Sequence, residues 1–137
     1  MDWKQEIENE IIEVCRGMNR DYDSLDPALL YRRCVENMSF IIHDRIVKNW
    51  AQHIQKGSDW IRSLRSAHSD FEDLNVNVIS KTCAIAWGLI RIKTEDQSGK
   101  KSEDECYQTW VFSKNEKGEW ELHHGHVSGS YNACYEP

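Results

Sequence analysis

Leu74-Asn75-Val76-Asn77-Val78 and, beyond Ser80-Lys81, the run Thr82-Cys83-Ala84-Ile85-Ala86-Trp87-Gly88-Leu89-Ile90-Arg91-Ile92-Lys93 decide the fold. In the first, apolar residues alternate with asparagine, the two-residue period of a half-buried strand; the second is a long strand-former. Three turn signals punctuate the second half of the chain: Ser80-Lys81, the polar stretch from Glu95 to Ser102 around Gly99, and Asn115-Glu116-Lys117-Gly118. Consecutive strands joined by connections this short run antiparallel, because parallel neighbours need a longer crossover.

Upstream the period is different. Trp3, Ile7, Ile11, Val14, Cys15 and Met18 fall at helical spacing and predict a first helix from Asp2 to Arg20, with Asn19 to Leu25 breaking it. Its early acids and late bases follow the order the helix dipole favours. Asp26-Pro27 is a helix start, a capping carboxylate followed by a residue that loses no hydrogen bond in the first turn, so a second helix is expected over Pro27 to Val35. Met38 to Ile42 reads as a short strand, and Asp44 to Lys56 as a helix in preference to the return arm of a hairpin. Gly57-Ser58-Asp59 reads as a stop and cap, with a third helix from Trp60 to Ala67. Helices first and an antiparallel meander after them make an α+β domain.

The bulk numbers bound the function. A chain of 137 residues is one domain's worth. A formal charge of −6 and a pI near 5.5 leave no electrostatic footprint for nucleic acid or an anionic membrane. The basic pairs Arg32-Arg33 and Lys100-Lys101 read as solvated surface. Five widely spaced cysteines without a C-x-x-C pair read as reduced thiols rather than zinc or redox chemistry. With no signal-like or membrane-length apolar run, a cytoplasmic protein is expected. No Gly-rich phosphate loop, nucleophile elbow or H-E-x-x-H motif appears, which disfavours nucleotide hydrolysis and covalent catalysis.

The end of the chain carries a specific pattern. Trp120-Glu121-Leu122-His123-His124-Gly125-His126-Val127-Ser128-Gly129 reads W-x-x-x-H-x-H-x-S-G. It resembles the last strand of SnoaL-like domains of the nuclear transport factor 2-like superfamily, and most closely the association (hub) domain of calcium/calmodulin-dependent protein kinase II. Thr82 to Trp87 is similar to that family's central strand, and Gly57 to Ile61 to its third helix. The resemblance implies helices packed on a strongly curved antiparallel sheet, a cone-shaped, cystatin-like roll with one internal pocket. It spans residues 1–129, with 130–137 as a tail, and implies a homo-oligomer, a dimer or a ring of dimers. Two features depart from the hub pattern: Leu89 and Trp110 stand where the hub places pocket arginines, with Arg91 one rung further on, and the segment between Ile42 and Gly57 is longer. No kinase domain is attached, so the hub's regulatory role is not expected here.

Strand alternation assigns Trp120, Leu122, His124, His126 and Ser128 to one face of the last strand and His123, Gly125 and Val127 to the other. A His-x-His pair invites a metal, but without a third ligand at suggestive spacing the histidines read as structural hydrogen-bonding groups, and no metal or cofactor is expected. As a proton carrier His126 or His124 would suit; the hub domains that share the pair are non-enzymatic. Asp44, beside His43, is a second candidate acid or base, equally explained as a cap. Tyr31, Trp50, Trp60, Trp87 and Trp110 are candidates to shape an apolar cavity. Arg91, in an apolar strand, marks an internal ion pair or an anionic ligand, the ion pair being preferred.

The reading is therefore a non-catalytic, self-associating domain. Its candidate pocket residues are Trp87, Arg91, Trp110, His124, His126, Tyr31 and Trp60, and a small apolar or acidic molecule is the expected ligand. The alternative is a small isomerase, cyclase or dehydratase using His126 or Asp44.

Overall fold

The computed structural model describes residues 2–129; the expected tail at 130–137 lies outside them. Helix α1 (Trp3–Asp23) is followed by α2 (Pro27–Leu30), strand β1 (Cys34–Ile42), a short β2 (Arg45–Ile46) and α3 (Trp50–Arg62). Four long strands follow: β3 (Leu64–Ser80), β4 (Cys83–Asp96), β5 (Lys101–Lys114) and β6 (Trp120–Gly129). All six strands form one open, curved sheet in the order β2-β1-β6-β5-β4-β3, with the helices on its concave side.

The meander from β3 to β6 is antiparallel throughout, as the short turns require. The exception to an all-antiparallel sheet is β1, which lies beside β6 and runs parallel to it. That pairing is allowed because the connection between the two strands contains α3 and four further strands, far more than the minimum crossover.

Helix α1 buries Ile7, Ile11 and Cys15 in one cluster with Ala84, Ala86, Ile90, Ile92, Cys106, Phe112 and Leu122 of the sheet. Trp3 stays outside that cluster, its ring beside the ammonium groups of Lys4 and Lys81. The helix does not break at Asn19 but runs to Asp23, because its last polar residues have tertiary partners. Buried Asp21 accepts hydrogen bonds from Arg32 Nε (3.0 Å), Arg32 Nη2 (3.1 Å) and Arg33 Nη1, and Asp23 accepts one from Ser69 Oγ at 2.8 Å. The pair Arg32-Arg33, expected to be plain solvated surface, thus anchors the end of α1 to the start of β1.

Three other boundaries differ from the sequence reading. Asp26 caps α2 as expected, but the helix ends at Leu30 because Cys34 pairs with Leu122 and draws Val35 into β1. Gly57-Ser58-Asp59 does not stop a helix: α3 begins at Trp50 behind an Asn49 cap and runs through them, with Gly57 and Ser58 buried on its packed face. Within Asp44 to Lys56, only the part from Trp50 is helical, Arg45–Ile46 forming β2. The third helix ends at Arg62, and β3 starts ten residues before the clear alternation at Leu74. Register shifts at Leu64/Ser66, Phe71/Asp73 and Val78/Ser80 interrupt its two-residue period, so its early part does not look like a strand in sequence.

The second shift lies opposite Ile90 and Leu89, next to Gly88, which pairs with Leu74. A Cβ on Gly88 would lie 1.9 Å from the Asp73 carbonyl oxygen, so only glycine lets β3 bend at this point. Gly88→Ala is expected to lower unfolding free energy by roughly 2 kcal/mol or more, measured by urea denaturation; a loss of under about 0.5 kcal/mol would refute the close approach.

Candidate functional site

Between the concave face of the sheet and the three helices lies a cavity of about 160 Å³. Its walls are aromatic. Phe40 of β1 and Trp110 of β5 stack at 6.1 Å and 11°, Trp50 stacks on His53 at 5.2 Å and 16°, and Tyr31 meets Trp50 edge-on at 6.1 Å. Trp60 closes another side beside Tyr22, and Ile90, Leu122 and Val127 line the sheet. Polar groups are few: Asn19, His53, Ser69 and Gln108 among them, with no Asp, Glu, Lys or Arg side chain in the lining.

His53 is only 7% exposed. Removal from water disfavours its charged form and pushes its pKa down to about 4. It is therefore a neutral imidazole at physiological pH. Gln108 accepts a hydrogen bond from Trp110 Nε1 at 3.1 Å. Ser69, at the cavity edge, donates to Asp23, whose carboxyl is raised above its ordinary range by burial and pulled back in part by that bond. His68 Nδ1 lies 3.5 Å from the same carboxylate and its Nε2 2.6 Å from Asp70.

The candidates read from sequence separate into two groups. Tyr31, Trp60 and Trp110 line the cavity; Trp87, Arg91, His124, His126 and Asp44 do not. The cause for the histidines is a bulge in β6. Leu122 pairs with Phe112 and His124 with Val111, so His123 is an extra residue and the strand changes phase. Trp120 and Leu122 face inward, but so do Gly125 and Val127, and His124 and His126 are turned to the convex face. Asn75, Trp87, Thr109, His126 and Ile41 make one continuous row across five strands of that face. His124 Nδ1 is 2.8 Å from Ser39 Oγ, which ties β6 to β1, and His123 Nε2 is 2.6 Å from Ser113 Oγ.

Arg91 is also on the convex face, held by Glu72 at 2.7 Å, Glu105 at 2.9 Å and Glu103 at 3.6 Å. It is an ion pair, as preferred, but a surface one rather than an internal one. Asp44 is exposed in the β1–β2 turn, 3.7 Å from Arg45 Nε. His43 occupies the same turn with φ +55°, its pKa lowered chiefly by burial. Among the described residues no group of three or more His, Cys, Asp or Glu side chains could hold a metal ion, and no helix is long and apolar enough to cross a membrane. Cys15 is a buried thiol and Cys34 a half-buried one, and removal from water pushes the pKa of each up to about 12.

The sequence profile of the SnoaL-like domain matches residues 11–132. The chain belongs to the SnoaL-like domain family. Solved structures agree in fold with the nuclear transport factor 2-like superfamily. A superfamily member from Salmonella enterica has a TM-score of 0.78 at 18% identity, over 98% of this chain and 99% of its own. The association domain of C. elegans CaMKII has a TM-score of 0.73 at 18% identity, over 90% of this chain and 96% of its own. A protein from Novosphingobium aromaticivorans provisionally described as a scytalone dehydratase has a TM-score of 0.78 at 12% identity, over 94% of this chain and 87% of its own. Among curated proteins none matches this chain.

His53 was missed in sequence because it falls in the segment whose period is ambiguous; the i, i+3 pair Trp50 and His53 is the signal that would have found it. Its neutrality is testable. In the unfolded chain His53 titrates near 6.5 and in the folded one near 4, so between these values the unfolded chain binds more protons. The stabilisation is full above the higher value and is lost as pH falls through the window. His53→Phe should reduce the fall in urea-derived stability between about pH 7 and about pH 5 by about 2 kcal/mol; identical slopes in both proteins would refute the assignment.

Proposed function

We propose that this SnoaL-like domain is a non-catalytic, self-associating module, joining a second copy through the convex face of its sheet. The observation that carries the reading is the separation made by the sheet. His126 and Asp44, the groups first considered as acid and base, lie outside the cavity. The convex face meanwhile presents Trp87 at 42% exposure and Tyr107 at 65%, with Ile85, Leu89 and Val111 on the same side. Large aromatics grouped on one exposed face are the usual material of an interface, and a two-fold axis lets the same patch serve both copies. The fold shared with a protein named as an association domain adds support.

Trp87→Asp would place a charge in the centre of that contact. The full chain is expected to sediment as a dimer or larger species at micromolar concentration, and the variant as a monomer with an unchanged circular dichroism spectrum. The expected weakening is at least ~100-fold, about 3 kcal/mol. A monomeric wild type would end the proposal.

One observation favours the alternative, a small enzyme of the dehydratase or isomerase kind. Asp23, with its raised carboxyl and its bond to the cavity residue Ser69, is a better-placed proton carrier than His126 or Asp44. Carbon-13 NMR should find Asp23 titrating above the ordinary carboxylate range, and higher still in Ser69→Ala, which removes the bond that lowers it. An ordinary Asp23 titration would remove this alternative.

A further inference from the structure

The polar groups of the cavity are few and are set in a way that selects an occupant. Trp110 Nε1 donates to Gln108 Oε1 at 3.1 Å. An indole N–H is a donor only, so this bond fixes which way the carboxamide lies: its oxygen is turned to the indole, and its NH2 group is the donor left to offer. Around it, the stacked pairs Phe40–Trp110 and Trp50–His53 present flat faces, which favour a planar guest. The volume of about 160 Å³ is close to that of a dry apolar cavity of about 150 Å³ that accepts benzene. No lining side chain is Asp, Glu, Lys or Arg, so an ionic ligand would give up its hydration for a wall without a counter-charge. The buried imidazole of His53, neutral at physiological pH, supplies none either.

We propose that the cavity binds an uncharged single-ring aromatic molecule carrying one hydrogen-bond acceptor, its ring among Phe40, Trp50 and Trp110 and its acceptor on the Gln108 NH2 group. This narrows the expected small apolar or acidic ligand to a neutral one. It is independent of self-association, because cavity and convex face lie on opposite sides of the sheet.

Three probes of similar shape test it by isothermal titration calorimetry on the full chain at neutral pH: acetophenone, ethylbenzene and benzoate. Acetophenone should bind roughly fivefold more tightly than ethylbenzene, the worth of one net hydrogen bond, and at least about tenfold more tightly than benzoate. Gln108→Leu, close in size, should abolish the preference for the ketone over ethylbenzene. Trp110→Phe, which keeps Gln108 but frees its carboxamide to turn, should diminish the same preference. Thermal melts followed by circular dichroism certify that each variant is folded. Benzoate binding as tightly as acetophenone, a ketone preference that survives Gln108→Leu, or no binding of any probe would overturn the proposal. Acetophenone binding retained by monomeric Trp87→Asp would support it, separating the ligand site from the association face.

Discussion

The interior of this domain depends on a side chain that is missing. Gly125 of β6 pairs with Phe40 on one side and Trp110 on the other, and the two rings meet over it. A Cβ at that position would lie 2.4 Å from Trp110 Cζ3 and 2.8 Å from Phe40, closer than packed atoms allow. The glycine reaches the inner face only because His123 is an extra residue in β6, which shifts the strand's phase just before it. Without that bulge, His124 would point where the stacked rings now meet, and an imidazole would occupy the wall of the cavity. One residue of register thus decides whether the core is an aromatic box or a histidine-lined cleft.

The same bulge explains what could and could not be read from the sequence. The meander from Leu74 onward was legible because its turns are marked by glycine and polar residues, Leu74 to Val78 alternates, and Thr82 to Lys93 is a long strand-former. The early part of β3 was not, since bulges every few residues erase the period. In β6 the alternation looked unbroken, and counting by twos assigned His124 and His126 to the wrong face, a result that only partner strands can correct. At α3 the misleading residues were Gly57 and Ser58, which lie buried within the helix, Gly57 in the cavity wall, rather than at a turn of the chain. Local signals read backbone preference, and each of these failures is a place where tertiary contact overrode it.

The cavity was less legible than the fold. Tyr31, Trp60 and Trp110 were among its expected residues, but core and pocket aromatics have the same appearance in a sequence. The two polar groups that give the cavity its character, His53 and Gln108, lack any motif. Their importance comes from surroundings: burial makes one neutral, and a neighbouring indole orients the other. Arg91 makes the opposite point, since a lone cation in an apolar strand proved to be a surface residue among three glutamates.

The parallel pairing of β1 with β6 has a bearing on how the chain is made. The final strand occupies the middle of the sheet, between elements from opposite ends of the sequence. During synthesis β1 emerges early and has only the two residues of β2 to pair with, so its other edge stays open until Trp120–Gly129 leaves the ribosome. Pairings so distant along the chain are slow to form and expose strand edges meanwhile. A nascent molecule stalled in the meander would carry half of an aromatic box with nothing to close it, the kind of surface that chaperones are built to hold.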